Sequence, residues 1–293
     1  FEEKIKTGKA LLKNNEFALA ALEFKEAIKL KEKSPLGHYY VGQALHFQKS
    51  IPEATGEYRK GLQINPLHYK CLLGEFDSHF EQNEYKAAYD VAKRIASHFP
   101  ISPKRMGNIF ISLVFSHHFE DITSYYQMYR ELDFRPTELT KIFGAALLTA
   151  GKFNIKRGEV SKANECFAMG VSVVGPEDNY LETVIRELLK AKAPEMAKSY
   201  LSLFRAAEVG RKTYSQMSFL IDLQTIGDRD QIIERGRKLV AKGFADRDAY
   251  RLLVHYLTDL KRVVLAEDIA EKAVRDFPDL REEVYTLIVN KKN

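Results

Sequence analysis

The 293 residues include 45 basic and 40 acidic side chains, 45% apolar residues, 16 Gly, 9 Pro and 2 Cys. That composition supports a hydrophobic core and excludes dominant disorder, a collagen-like chain and a disulfide scaffold. The net charge of +5 is small, and the signs interleave, as over 26–33 and 267–275, which describes a mixed solvated surface.

The chain opens Phe1-Glu2-Glu3-Lys4 inside a helical pattern, with no initiator Met and no apolar signal region; a piece of a longer protein is expected. From there a repeat takes over. Ala20 is followed four residues later by Phe24, Ala54 by Tyr58 and Ala163 by Phe167, with a third small residue at Ala27, Gly61 and Gly170. The first register continues as Ala20, Ala54, Ala88, Ile122, Ala163, Ala197, Ile232 and Ala266, spaced 34, 34, 34, 41, 34, 35 and 34 apart. Gly8, Gly42 and Gly151 stand twelve positions earlier, and Pro66, Pro100 and Pro278 twelve later. Such columns predict pairs of antiparallel helices that cross closely where the side chain is small and stop at proline.

The predicted repeats are 1–34, 35–68, 69–102, 103–136, 144–177, 178–211, 213–246 and 247–280. Within the fourth, 106–119 holds fourteen residues without Asp, Glu, Lys or Arg, too few for a bilayer span of about 20, and reads as a buried helix. The spacing of 41 leaves seven extra residues, 137–143, read as two added turns at the start of one long helix after Pro136. Leu280, Val284, Leu287 and Ile288 share a face and predict a terminal capping helix before the polar tail 290–293. The expected organisation is therefore repeats 1–4 over 1–136, repeats 5–8 over 137–280, and cap plus tail over 281–293.

In these columns the chain resembles the tetratricopeptide repeat family, in a bacterial setting. The likeness is strongest in repeats 1, 2 and 5 and in the second helix of repeat 8 (Ala266, Ala270, Ala273, Pro278). Phe110, Ile185 and Leu220 break the Gly column in repeats 4, 6 and 7, and the chain has no Trp. The resemblance implies an all-α, right-handed α-solenoid of about eight helix–turn–helix repeats with a capping helix. It also implies a concave face lined by the first helix of each repeat, and a protein or peptide partner bound there. The chaperone-gripping members of the family need a set of cations and asparagines where this chain has Ile5, Lys9, Tyr40, Lys70 and Gly74. Only Lys70 fits, so that specific function is not expected.

The concave-face positions select Lys9 in repeat 1, Tyr39, Tyr40, Gln43 and Phe47 in repeat 2, Lys70 and Asp77 in repeat 3, and Asn108 in repeat 4 as the candidate partner-binding site. Tyr39 and Tyr40 stand out because consecutive helical positions cannot both face the core. Aromatics supply contact area and polar groups fix register. No chemistry competes with this reading. The phosphate-loop, GxSxG and HExxH motifs are absent, and His117-His118 diverge on a helix. Glu75 and His79 read as a surface pair, and Cys71 and Cys166 as small buried hydrophobes with no neighbouring His. Neither enzyme activity, cofactor nor metal is expected, and the unpaired thiols suit the cytoplasm. A scaffold or adaptor, such as the interaction half of a bacterial regulatory protein in signal transduction, is the leading reading. RNA binding by the helical repeats is the alternative, but Asp77, Glu138, Glu182 and Asp248 interrupt any basic stripe. Self-association is a third.

Overall fold

A computed structural model of the chain describes residues 1–204 and 210–289. Among these residues there are 17 α-helices, two short 3-10 turns and no strand. The helices fall into two compact units, Phe1–Ala146 and Leu147–Asn293. Residues 205–209, at the end of predicted repeat 6, and the predicted tail 290–293 lie outside the described residues.

In the N-terminal unit the pairs are α1 (Glu2–Lys13) with α2 (Phe17–Leu30), α3 (Pro35–Phe47) with α4 (Ile51–Ile64), α5 (Tyr69–Glu81) with α6 (Tyr85–Ala96), and α7 (Pro103–Phe115) with α8 (Ile122–Arg130). Next comes α9 (Thr137–Lys156), the long helix expected after Pro136; the division between the units falls within it. The C-terminal unit continues with α10 (Val160–Val174), α11 (Asp178–Lys190) and α12 (Pro194–Leu201), α13 (Gly210–Thr225) and α14 (Arg229–Ala241), and α15 (Arg247–Asp259) and α16 (Val263–Asp276). Helix α17 (Arg281–Val289) follows and buries Val284 and Ile288 as a cap against this unit's core.

The small-residue column is the line of closest approach. All six of its alanines are 0% exposed, and Ile122 and Ile232 are 2% and 1% exposed. The glycine column has a sharper cause. A Cβ at Gly8 would lie 2.3 Å from the Phe24 ring, one at Gly42 2.6 Å from Tyr58, and one at Gly151 2.2 Å from Phe167. In these three pairs the aromatic of the second helix therefore lies against the first helix of its own pair, where only a bare backbone leaves room.

Phe110 breaks that column in repeat 4, and the long helix explains how. Phe143 stacks on Phe110 with ring centres 4.0 Å apart and packs on Tyr129 at 5.0 Å, while the Tyr129 and Thr140 hydroxyls are hydrogen-bonded at 2.9 Å. The seven extra residues thus supply the aromatic that faces Phe110.

The turns inside the pairs repeat as well. Asn15, Lys49, Asn83, His117, Gly158, Lys192 and Lys261 all have φ between 57° and 75°, at one register position. Repeat 7 departs: Asp228 caps α14, its side chain accepting from the backbone N–H of Asp230 and Gln231.

Candidate functional site

Helices α3, α5 and α7 are the first helices of consecutive pairs and together floor an open cavity of about 460 Å³ in the N-terminal unit. Five of the eight sequence candidates line it: Tyr39, Gln43, Phe47, Asp77 and Asn108. Gln43 and Asn108 are half-buried, and Phe47 is exposed. Asp77 is not a free acid. Arg105 donates to its two oxygens at 2.6 and 3.4 Å and lies 5.5 Å over the Phe76 ring.

Lys9, Tyr40 and Lys70 do not line the cavity. Tyr40 is a correction: it is buried, and its ring stacks on Phe24 at 5.0 Å. Tyr39 is half-buried beside it at 5.0 Å, so consecutive aromatics do share one packed cluster here. The physical reason is the crowding of α1, α3 and α5, which leaves core on both sides of α3 at that level. Lys9 and Lys70 are exposed and cover this cluster. Lys9 Nζ lies 4.8 Å over the Tyr40 ring, and Lys70 Nζ 5.5 and 5.7 Å over Tyr39 and Tyr40. Burial pushes the Tyr39 and Tyr58 hydroxyls up, so both stay protonated donors.

Sequence reasoning missed Lys104, Arg105 and Glu81, which also line the cavity with His46, a concave-face position of repeat 2. Arg105 stands three residues before Asn108, on the same helical face, and that spacing was the available signal. His46 Nε2 lies 3.0 Å from Glu81 Oε1, a contact between repeats that no local spacing reveals.

Two further expectations are corrected. Glu75 and His79 are buried, not a surface pair. Arg59 donates to Glu75 Oε1 at 2.8 Å, and its other arm is 3.0 Å from His79 Nε2; His79 Nδ1 is 2.5 Å from Glu84. Burial pushes the Glu75 carboxyl up, but the nearby His79 ring, 3.9 Å away, and the hydrogen bond from Arg59 outweigh it and hold the group below the ordinary range. The Glu75 carboxylate, 3.9 Å from Nε2, raises His79, against burial and with help from Glu84. Cys71, in turn, does have a histidine neighbour: His68 Nδ1 is 3.0 Å from its sulfur. Burial nevertheless pushes the thiol up to about 12, so it is no activated nucleophile.

In the C-terminal unit the inner helices are tied by ion pairs. Arg186 on α11 meets Glu182 at 2.9 Å, Asp246 at 2.5 Å and Asp248 at 2.6 Å. Asp246 also accepts from the Ala249 N–H at the start of α15.

Among the described residues no group of three or more His, Cys, Asp or Glu could hold a metal ion, and no helix is long and apolar enough to cross a membrane. No family model matches the chain. No curated protein matches it in sequence. Solved structures do resemble it. The structure of Naa15/Naa10 bound to HypK-THB aligns with TM-score 0.50 at 14% identity, over 97% of this chain and 48% of that one. Yeast Tom70 aligns at 0.44 and 12% identity, over 99% and 72% of the two chains. A tetratricopeptide repeat protein from Parabacteroides merdae aligns at 0.44 and 12%, over 86% and 96%. At such identities likeness speaks to fold alone. The paired helices and their 34-residue register make the fold of each unit a stack of tetratricopeptide-repeat-like helix pairs.

Proposed function

We propose that the chain is a non-enzymatic interaction scaffold that binds a peptide or protein segment in the N-terminal groove floored by α3, α5 and α7. The observation that carries this reading is the open cavity of about 460 Å³, where exposed aromatic surface at Phe47 meets half-buried polar groups at Gln43 and Asn108. That mixture of rigid contact area and directional hydrogen bonding suits recognition of another chain. Arg105 is already committed to Asp77, which prearranges the floor before a partner arrives.

The test fills the groove. Gln43→Trp places a bulky ring in the cavity from a half-exposed position. Affinity capture from the native cell, compared between the wild-type chain and this variant at equal thermal midpoint, should show loss of the bound partners. An unchanged set of partners would place recognition on another surface.

A further inference from the structure

The two long edges of the groove differ in chemistry. Helices α3, α5 and α7 are 13 residues each and run the same way, because each returns through an antiparallel second helix. Their C-terminal ends carry Phe47, Phe80 and Phe115. Phe47 and Phe115 occupy the same register position two repeats apart and are 48% and 62% exposed. Tyr85 bridges the row, 5.8 Å from Phe80 and 4.7 Å from Phe115. The N-terminal ends carry Lys70 on α5 and Lys104 and Arg105 on α7, where the helix dipoles add positive potential. Among the described residues Lys70 and Lys104 have no carboxylate at ion-pair distance, while the lining acids Asp77 and Glu81 are engaged by Arg105 and His46. One edge is aromatic; the other holds uncompensated cations.

The dimensions select the occupant. Thirteen residues at 1.5 Å give a floor about 20 Å wide, enough for a helix of about 10–12 Å diameter laid across the inner helices. Successive inner helices stand about one helix diameter, about 10–12 Å, apart, so the aromatic anchors recur at about the rise of seven helical residues. Resting on the groove reading above, we infer that the occupant is an amphipathic helix of a partner protein. Its apolar stripe faces Phe47, Phe80 and Phe115, and a row of Asp or Glu on one flank faces Lys70 and Lys104. Charge on the flank then fixes which way the helix rolls in the groove.

Two synthetic helices of about 21 residues test this, with Leu at i, i+7 and i+14. One has Glu along a single flank and the other has Lys at the same positions. Fluorescence anisotropy with the whole chain at low salt should show the Glu peptide binding at least roughly tenfold tighter. Lys70→Glu with Lys104→Glu should reverse that preference. Phe47→Ser with Phe115→Ser should weaken both peptides by at least about tenfold. All four positions are exposed, and circular dichroism checks the fold; Lys70→Gln with Lys104→Gln, which should abolish the preference, substitutes if the reversal unfolds the chain. Equal affinities, no binding by either peptide, or a preference indifferent to the lysines would overturn the inference. If the peptides fail while Gln43→Trp still releases the cellular partners, only the acidic-helix inference falls. If the partners are retained as well, the groove reading falls with it.

Discussion

Gly151→Ala isolates the steric claim on which the repeat register rests. A methyl group there would meet three atoms of the Phe167 ring at 2.2, 2.6 and 2.7 Å, well inside any ordinary carbon contact. Phe167 is fully buried, so the ring must move by about 1 Å into close-packed neighbours. Overpacking of that kind costs about 1–3 kcal/mol. Alanine recovers about 0.5–1 kcal/mol of helix propensity, which leaves a net loss of about 0.5–2 kcal/mol. Gly56 is the matched control, because it is exposed in the middle of α4 with nothing within 4 Å of its would-be Cβ. There alanine should stabilise by about 0.5–1 kcal/mol. Urea denaturation followed by circular dichroism on both variants reads the two signs directly, and an unchanged slope shows that the same transition is compared. Adding Phe167→Leu to Gly151→Ala should recover part of the loss by relieving the clash. If Gly151→Ala stabilises as much as Gly56→Ala, the helices do not cross closely at the glycine column and the packing argument collapses.

Ala20→Leu and Ala54→Leu should each destabilise by about 1–3 kcal/mol, since both alanines are fully buried at a helix crossing; chemical denaturation showing under about 0.5 kcal/mol at both would contradict the register. Glu75→Gln should cost about 1.5–3 kcal/mol where its network is fully charged. The depressed Glu75 contributes stability above its unfolded value of 4.5 that is lost as pH falls through its lower folded value. The raised His79 contributes below 6.5 and loses that contribution as pH rises through its higher folded value. The stability gap between wild type and Glu75→Gln should therefore be widest between pH 4.5 and 6.5 and narrow on both sides, and thermal melts giving a pH-independent gap would exclude the coupling. Tyr40→Ala should lower stability by about 3–5 kcal/mol, whereas Phe47→Ala should leave the melting midpoint nearly unmoved and weaken groove binding by roughly thirtyfold; the opposite ranking would reverse their assigned roles.

What the sequence disclosed follows from the range of each interaction. The Ala and Gly columns recur in register, so period alone exposes them, and the added length at the start of α9 shows as the one spacing of 41. Lys9 and Tyr40 show where that stops. Position on the helix placed Tyr40 near the inner face, but whether it is covered depends on how tightly α1 and α5 flank α3. The Arg59–Glu75–His79–Glu84 network draws on α4, α5 and the turn after it, and the His46–Glu81 contact joins α3 to α5. Each such contact depends on side-chain reach across a crossing, and residue type at one position carries no record of it.

The left-handed turn residue has a consequence for how this fold is encoded. Asparagine, lysine, histidine and glycine all serve at that one position, so what is specified there is a backbone angle and not a side chain. The small-residue column tolerates Ile122 and Ile232, and the glycine column gives way at Phe110 once Phe143 is supplied. The shape of a repeat is thus held by a few geometric requirements, each with several chemical solutions. A chain under so few constraints can replace most of its letters and keep its architecture, and its outward-facing positions are then free to be written by whatever it binds.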